Sequence, residues 1–280
     1  MAEIFQKGTL YLCPTPIGNL EDITYRTVRC LREADIIAAE DTRHTRQLLS
    51  AYDIDTPLLS YHEHNKAEKG PQLIDMLREG KMIALVSDAG MPAIPGSDLV
   101  HLAIEADIPI VPLPGANAGL TGLIASGMDT TRFTFIGFLP KTKKHRLPVL
   151  ESIKGYEGTL IFYEAPHRIQ TVLSELIEVL GDRQAVICRE LTKRYEQYIR
   201  GSLRQVKEEL AAQGVRGEFV ILVAGAAAAE EHGPASDGDY ASLVRELMEQ
   251  GIDKKEAVRM VAKRCGVPKR SVYQAVIALS

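Results

Sequence analysis

The feature that most constrains this chain is a rhythm in its first 119 residues. Short apolar runs at 8–13, 35–39, 58–61, 82–86 and 108–113 are each cut off by proline, glycine and polar side chains, with helix-length segments between them. Strand and helix alternating in this way predict a parallel sheet with helices on both faces. The run Met82-Ile83-Ala84-Leu85-Val86 has no polar residue, as expected of a strand buried on both sides. Directly after it, Ser87-Asp88-Ala89-Gly90 is small and polar. In open α/β sheets the crevice beyond the carboxyl ends of the strands is where ligands bind. Gly90 permits close approach of a ligand and Asp88 can accept hydrogen bonds, although Ser87 or Asp88 could equally cap a helix.

The other early strands end alike. The first runs into Pro14-Thr15-Pro16-Ile17-Gly18-Asn19-Leu20, and the second into Glu40-Asp41-Thr42-Arg43. Asp22 or Thr24 can cap a helix through Leu31, and Asp41 or Thr42 one over 46–52. The third strand precedes His62-Glu63-His64-Asn65, whose two histidines lack a third ligand at metal spacing, so no metal is expected. A helix over 69–79 with Gly80 behind it leads to the fourth strand. Another helix over 99–106 precedes the fifth, which ends at Pro114-Gly115-Ala116-Asn117-Ala118-Gly119. Neither a spaced Gly-x-Gly-x-x-Gly nor a Walker pattern occurs, which weakens a nucleotide-fold reading.

After a small-residue helix over 119–126, the second half carries strands at 133–138, 159–163, 185–188 and 218–223. Long inter-strand segments and aromatic alternation predict a mixed sheet here. The run Lys141 to Arg146 reads as a basic loop, Pro166 as the start of a helix through Leu180, and 201–210 as a helix. Residues 224–239, rich in Ala, Gly, Glu and Pro, read as a linker to three short helices over 240–250, 254–265 and 269–279. Ala257, Ala262, Gly266, Val267 and Val272 have helix-turn-helix spacing. The chain carries a net charge of −4, yet from Asp253 onward seven cations face two carboxylates. Such an island suggests a directed polyanion contact or, alternatively, a small dimerising bundle.

The cysteines Cys13, Cys30, Cys188 and Cys265 lie far apart and read as reduced, mostly buried thiols. No apolar run reaches the roughly 18 residues of a membrane span and the N-terminus lacks a secretory pattern, so a cytoplasmic location is expected. The boundaries expected are an α/β domain at 1–116, a second α/β domain at 117–226, a linker at 227–239 and a basic helical domain at 240–280.

Seven ordered motifs together resemble a known family: Thr15 to Asp22, Ala39 to Arg43, His62 to Asn65, Ser87 to Pro92, Leu113 to Ala118, Phe138-Leu139-Pro140, and Phe162 to Arg168. The chain is similar to the bacterial 2′-O-methyltransferases of the tetrapyrrole methylase superfamily that modify a cytidine ribose of small-subunit (16S) ribosomal RNA. The resemblance implies two α/β domains enclosing S-adenosylmethionine in the cleft between them, a homodimer, and small-subunit rRNA or the assembled subunit as substrate. It implies cofactor contacts from Pro14, from Ser87, Asp88, Ala89, Gly90 and Ile94, and from Ala116, Asn117 and Ala118. In the second half it implies Tyr163, Leu191, Thr192, Glu218 and Phe219. Relatives usually carry a longer Ile-Ser-Asp-Pro-Gly run where this chain has Ile94-Pro95-Gly96.

Methyl transfer to a ribose hydroxyl needs a proton acceptor or a cation beside the forming alkoxide. Glu164 and Lys193, each just past a strand end, are the candidates. RNA contacts are expected on Lys141 to Arg146, on Arg194 and on the basic tail. Two other readings remain open at this point: methylation of a tetrapyrrole, and a helix-turn-helix regulator whose α/β portion senses a small ligand.

Overall fold

The computed structural model describes residues 5–92, 98–226, 237–265 and 267–278. They fall into two compact units, Met1–Gly225 and Ala226–Ser280.

The first unit holds two five-stranded sheets. Five strands, β1 (Leu10–Leu12), β2 (Ile36–Ala39), β3 (Leu58–Ser60), β4 (Ile83–Val86) and β5 (Ile110–Pro112), form an all-parallel sheet in the order β3-β2-β4-β1-β5. β4 lies at its centre with all four residues buried, which accounts for its unbroken apolar sequence. Between the strands run α1 (Tyr25–Glu33), α2 (Thr42–Ala51), α3 (Lys66–Arg78) and α4 (Asp98–Glu105). Thr24 and Asp41 settle the open capping choices: their side chains accept from the amides of Thr27 and Arg43. One face of the sheet packs Tyr11, Ile37, Ala84 and Val86 against α1, and the other packs Leu10, Ile83 and Leu85 against α3 and α4.

The helix α5 (Ala118–Ser126), capped by Asn117, crosses to a second sheet. That sheet comprises β6 (Phe133–Phe138), β7 (Thr159–Glu164), β8 (Gln184–Arg189), β9 (Gln197–Ser202) and β10 (Phe219–Val223), in the order β6-β7-β10-β8-β9. Only β6 and β7 pair in parallel, so the sheet is mixed. Its centre, β10, is again fully buried and apolar. Gly122 lets α5 lie close on it, since a Cβ there would sit 3.2 Å from the Cys188 sulfur. The opposite face is covered by α6 (Lys143–Ile153), α7 (Ile169–Leu180) and α8 (Leu203–Gln213).

Three expectations need correction here. The basic run is not a loop throughout, because α6 begins at Lys143, and its Arg146 is buried rather than offered to RNA. The helix expected at Pro166 begins at Ile169, with the Pro166 segment forming a turn before it. Strand β9 was not expected: Arg200 and Gly201 obscure its alternation, and only Ile199 among its residues is buried, as suits an edge strand.

The second unit contains α9 (Asp237–Glu249), α10 (Lys254–Arg264) and α11 (Lys269–Ala278), packed around Tyr240, Val244, Ala257, Val261 and Val272. Asp253 caps α10, and the Val267 amide donates to the Ala262 carbonyl at 3.1 Å to close the turn into α11. Part of the expected linker, residues 227–236, lies outside the described residues.

Candidate active site

Register brings the strand ends together. In the first sheet, β1 and β4 are neighbours, and their outgoing loops pair through reciprocal backbone bonds between Thr15 and Gly90, at 3.0 and 3.1 Å. In the second sheet, Phe219 at the start of β10 lies opposite both Glu164 and Arg189, the last residues of β7 and β8. Between these edges is a cavity of about 400 Å³. Ile17, Ala89, Gly90 and Met91 wall it from the first sheet, Asn117 and Ala118 from the start of α5, and Phe138, Tyr163, Glu164, Leu191, Glu218 and Phe219 from the second.

Backbone geometry shapes this wall. Gly90 has φ +77°, and a side chain there would begin 3.1 Å from Ile17 and 3.2 Å from the Ala116 carbonyl oxygen. Leu191 is held between Glu190 and Thr192, both non-glycine residues in the left-handed region at φ +53° and +66°. Such strain persists only where surrounding contacts enforce it. Here the Glu190 carboxylate accepts from the Glu218 amide at 2.8 Å and the Glu190 amide donates to the Glu218 carbonyl at 3.0 Å. Across the cavity, the Tyr163 hydroxyl accepts from the Gly119 amide at 2.8 Å and so ties the start of α5 to β7.

The two acid–base candidates sit in opposite environments. Glu164 is 2% exposed and lines the cavity. Its Oε1 accepts from the Ala165 amide at 2.9 Å, while its Oε2, 3.2 Å from the Arg168 guanidinium, accepts no hydrogen bond among the described residues. Burial raises its carboxyl above the usual range, opposed by that amide and by the charges of Arg168 and Arg146. Lys193 stands behind the wall, 3.1 Å from Glu190 and 3.0 Å from Glu218. Burial lowers its pKa, but the two carboxylates outweigh burial and hold it above the ordinary lysine value. Lys193 is therefore a fixed cation that anchors Glu218.

Of the expected cofactor residues, Ala89, Gly90, Asn117, Ala118, Tyr163, Leu191, Glu218 and Phe219 line this cavity. Pro14, buried against Gly115, and Ala116, whose carbonyl oxygen faces Gly90, are not among its lining residues. Thr192 is not among the lining residues, and its amide donates to Glu196 at 2.6 Å. Ser87 and Asp88 line a neighbouring smaller cavity instead, and Ile94 lies outside the described residues. Ile17, Met91, Phe138, Pro166 and Cys188 are lining residues that sequence reasoning did not single out. The first four belong to the quoted motifs, but nothing in the sequence marks Cys188.

Elsewhere, the His62 ring accepts from the His64 amide at 3.2 Å, and no cluster able to hold a metal occurs among the described residues. The Cys13 and Cys30 thiols lie 3.5 Å apart, both free and buried. No described helix is long and apolar enough to cross a membrane.

Comparison with known proteins accounts for this arrangement. Residues 9–207 match the family of Tetrapyrrole (Corrin/Porphyrin) Methylases, and residues 234–280 match the RsmI C-terminal HTH domain. Ribosomal RNA small subunit methyltransferase I of Halalkalibacterium halodurans is 51% identical, over 95% of this chain and 94% of that protein. The protein of the same name from Bacillus subtilis is 47% identical, over 96% and 94%. The chain belongs to the ribosomal RNA small subunit methyltransferase I family. As a member of it, the chain is a methyltransferase with a tetrapyrrole methylase fold. Among solved structures, a cobalt precorrin-4 methyltransferase shares that fold with a TM-score of 0.60 at 20% identity, covering 78% of this chain and 95% of that one. A uroporphyrin-III C-methyltransferase from Thermus thermophilus, solved with S-adenosyl homocysteine, does so at 0.53 and 20%, covering 76% and 96%.

Proposed function

We propose that the chain transfers the methyl group of S-adenosylmethionine to the 2′-hydroxyl of a cytidine ribose in small-subunit ribosomal RNA. The observation that carries this reading is the cavity where the strand ends of both sheets meet, with the buried carboxylate of Glu164 in its wall. The relatives' name applies along the whole chain, tail included, which favours an RNA substrate over a tetrapyrrole and an enzyme over a regulator.

The residues present fit the cofactor. Gly90 makes a left-handed turn in the wall that a Cβ would crowd against Ile17 and the Ala116 carbonyl; Ile17, Phe138 and Leu191 offer apolar surface to a ring, and Asn117 and Glu218 supply polar groups. When bound, S-adenosylmethionine supplies a methyl carbon already activated on a sulfonium. The protein holds donor and acceptor in line, and such alignment can lower the barrier by about 7 to 11 kcal/mol at best. Glu164 takes the hydroxyl proton. Lys193 acts at one remove, by fixing Glu218 on the cavity wall.

Gly90→Ala should weaken S-adenosylmethionine binding about tenfold, because a left-handed non-glycine residue costs about 1 to 3 kcal/mol and its Cβ meets a carbonyl oxygen. Calorimetric titration of the variant measures this. An unchanged dissociation constant would remove Gly90 from the site.

For RNA, exposed Lys141, Lys143, Lys144 and His145, Arg194 with Tyr195, and Lys254, Lys255, Lys263, Lys269 and Arg270 of the tail provide phosphate contacts. Ending the chain at residue 236 should weaken RNA binding and flatten its salt dependence while leaving cofactor affinity unchanged, since the tail forms its own compact unit. RNA affinity equal to that of the full chain would return the tail to a dimerising role. A homodimer in the cytoplasm completes the reading. Exposed Leu120 and Ile124, one turn apart on α5, offer an apolar face for a second copy.

The test of the function is incubation with labelled S-adenosylmethionine and small subunits from a strain lacking the gene. Label in a cytidine ribose is the expected result, and label in a base or none at all would overturn it.

A further inference from the structure

The loops that wall the methyl-donor cavity also wall a second one. Pro16 and Gly18 face the second cavity where Ile17 faces the first, and Ser87 and Asp88 face it where Ala89 and Gly90 face the first. Adjacent residues are about 3.8 Å apart along the chain, so the two cavities lie against the same two loops. The second measures about 280 Å³, just under the roughly 300 Å³ at which pockets for drug-sized ligands begin. That volume suits a single pyrimidine nucleoside rather than a tetrapyrrole.

Its chemistry is divided. Pro16, Leu20 and Leu48 give an apolar surface, with Leu20 half exposed at the rim. His44 and Gln47, one turn apart on α2, are exposed, and their side chains make no hydrogen bond among the described residues. The Asp88 carboxylate is aimed by the Asp41 amide, which donates to its Oδ1 at 3.1 Å. Glu40 stands close enough that the Asp88 charge, after burial, raises its carboxyl. This end of the cavity is acidic, which disfavours a phosphate and suits a donor group.

We propose that this cavity receives the acceptor cytosine, its exocyclic amine donating to Asp88 and its ring acceptors facing the Gln47 amide, so that the ribose lies against the loops that also wall the methyl-donor cavity. A carboxylate accepting from the cytosine amine is a recognised base contact, and uracil would present an acceptor there instead. A base read in this way must be unstacked and turned out of its helix or loop. The inference rests on the cytidine reading above and adds to it the residues that select the base.

The test uses the full chain, labelled S-adenosylmethionine, and small subunits carrying either the native target cytidine or uridine in its place. Label in the native ribose with wild-type protein checks the function itself; its absence would overturn both readings together. Given that label, Gln47→Ala should lower the rate at limiting subunit about tenfold, and Asp88→Asn should cut the preference for cytidine over uridine by about tenfold or more, since each base contact contributes discrimination of this order. Cofactor affinity should stay within about twofold of wild type in both, on the same scale of about 1.4 kcal/mol per tenfold. A full rate in Gln47→Ala with the base preference intact in Asp88→Asn would overturn the pocket alone. So would loss of cofactor affinity in Asp88→Asn, which would assign that carboxylate to the methyl donor.

Discussion

Glu164→Gln should slow single-turnover methyl transfer by about 100- to 10,000-fold, the range that a positioned proton acceptor contributes. The substitution preserves shape and keeps an acceptor oxygen for the Ala165 amide, but it removes the basic oxygen. Glu164 is buried, and its Oε2 accepts no hydrogen bond among the described residues although the Arg168 guanidinium lies 3.2 Å away, so proton transfer to it has that ion pair to work against. S-adenosylmethionine affinity should change little. The pH profile carries a second signature: a carboxyl raised by burial loses its proton at higher pH than an ordinary glutamate, so the acidic limb of the wild-type rate should lie above about 4.3. A Glu164→Gln enzyme with the wild-type single-turnover rate would remove the residue from proton transfer.

Arg146→Ala should be the most destabilising of the changes considered. The guanidinium, 5% exposed, forms a two-pronged pair with Glu175, 4% exposed, in which Nη2 lies 2.8 Å from Oε1 and Nε donates to Oε2. Its Nη1 also donates to the carbonyls of Pro140 and Lys141, both at 2.9 Å. Arg168 adds bonds to the carbonyls of Leu139 and Pro140, at 2.9 and 3.2 Å, while paired with Glu164. Two guanidiniums thus pin the backbone just after Phe138, a lining residue of the methyl-donor cavity. Truncating Arg146 strands a buried carboxylate, and breaking such a pair costs about 3 to 5 kcal/mol. In a unit of this size each kcal/mol lowers the melting temperature by about 2 to 4 °C.

The same pair sets an acid dependence. Its hydrogen bonds to Arg146 hold the Glu175 carboxyl below the usual range. A depressed carboxyl contributes stability that is fully present above its unfolded value of about 4.3 and is lost as pH falls through the folded one. Arg146→Ala should therefore lower stability at neutral pH and flatten its fall in acid. Denaturant titrations at several pH values measure both effects. A wild-type midpoint in the variant would show that Glu175 finds water or another partner.

The parallel sheet was legible because its central strand is apolar throughout, and the loops after β1 and β4 announce a ligand edge by abrupt change to small and polar residues. Eight of the cofactor residues implied by family resemblance line the cavity, Ala89 and Gly90 from the loop after β4 and the other six from the start of α5 and the second sheet. Arg146 was not legible. Within Lys141 to Arg146 it reads as one more surface cation, and the carboxylate that buries it comes 29 positions later on α7. Strand β9 escaped because an edge strand needs only one buried face, so Arg200 and Gly201 break its pattern without breaking its pairing. Ser87 and Asp88 show a subtler limit. Neighbouring loop residues can face different cavities, and linear sequence does not say which.

Calorimetric titration of the full chain with S-adenosylmethionine bears most directly on the meeting of two sheets around one methyl donor. The expected result is saturable binding near one equivalent per chain, weakened by Gly90→Ala and retained by the chain ending at residue 236. No binding, or binding indifferent to Gly90→Ala, would contradict it.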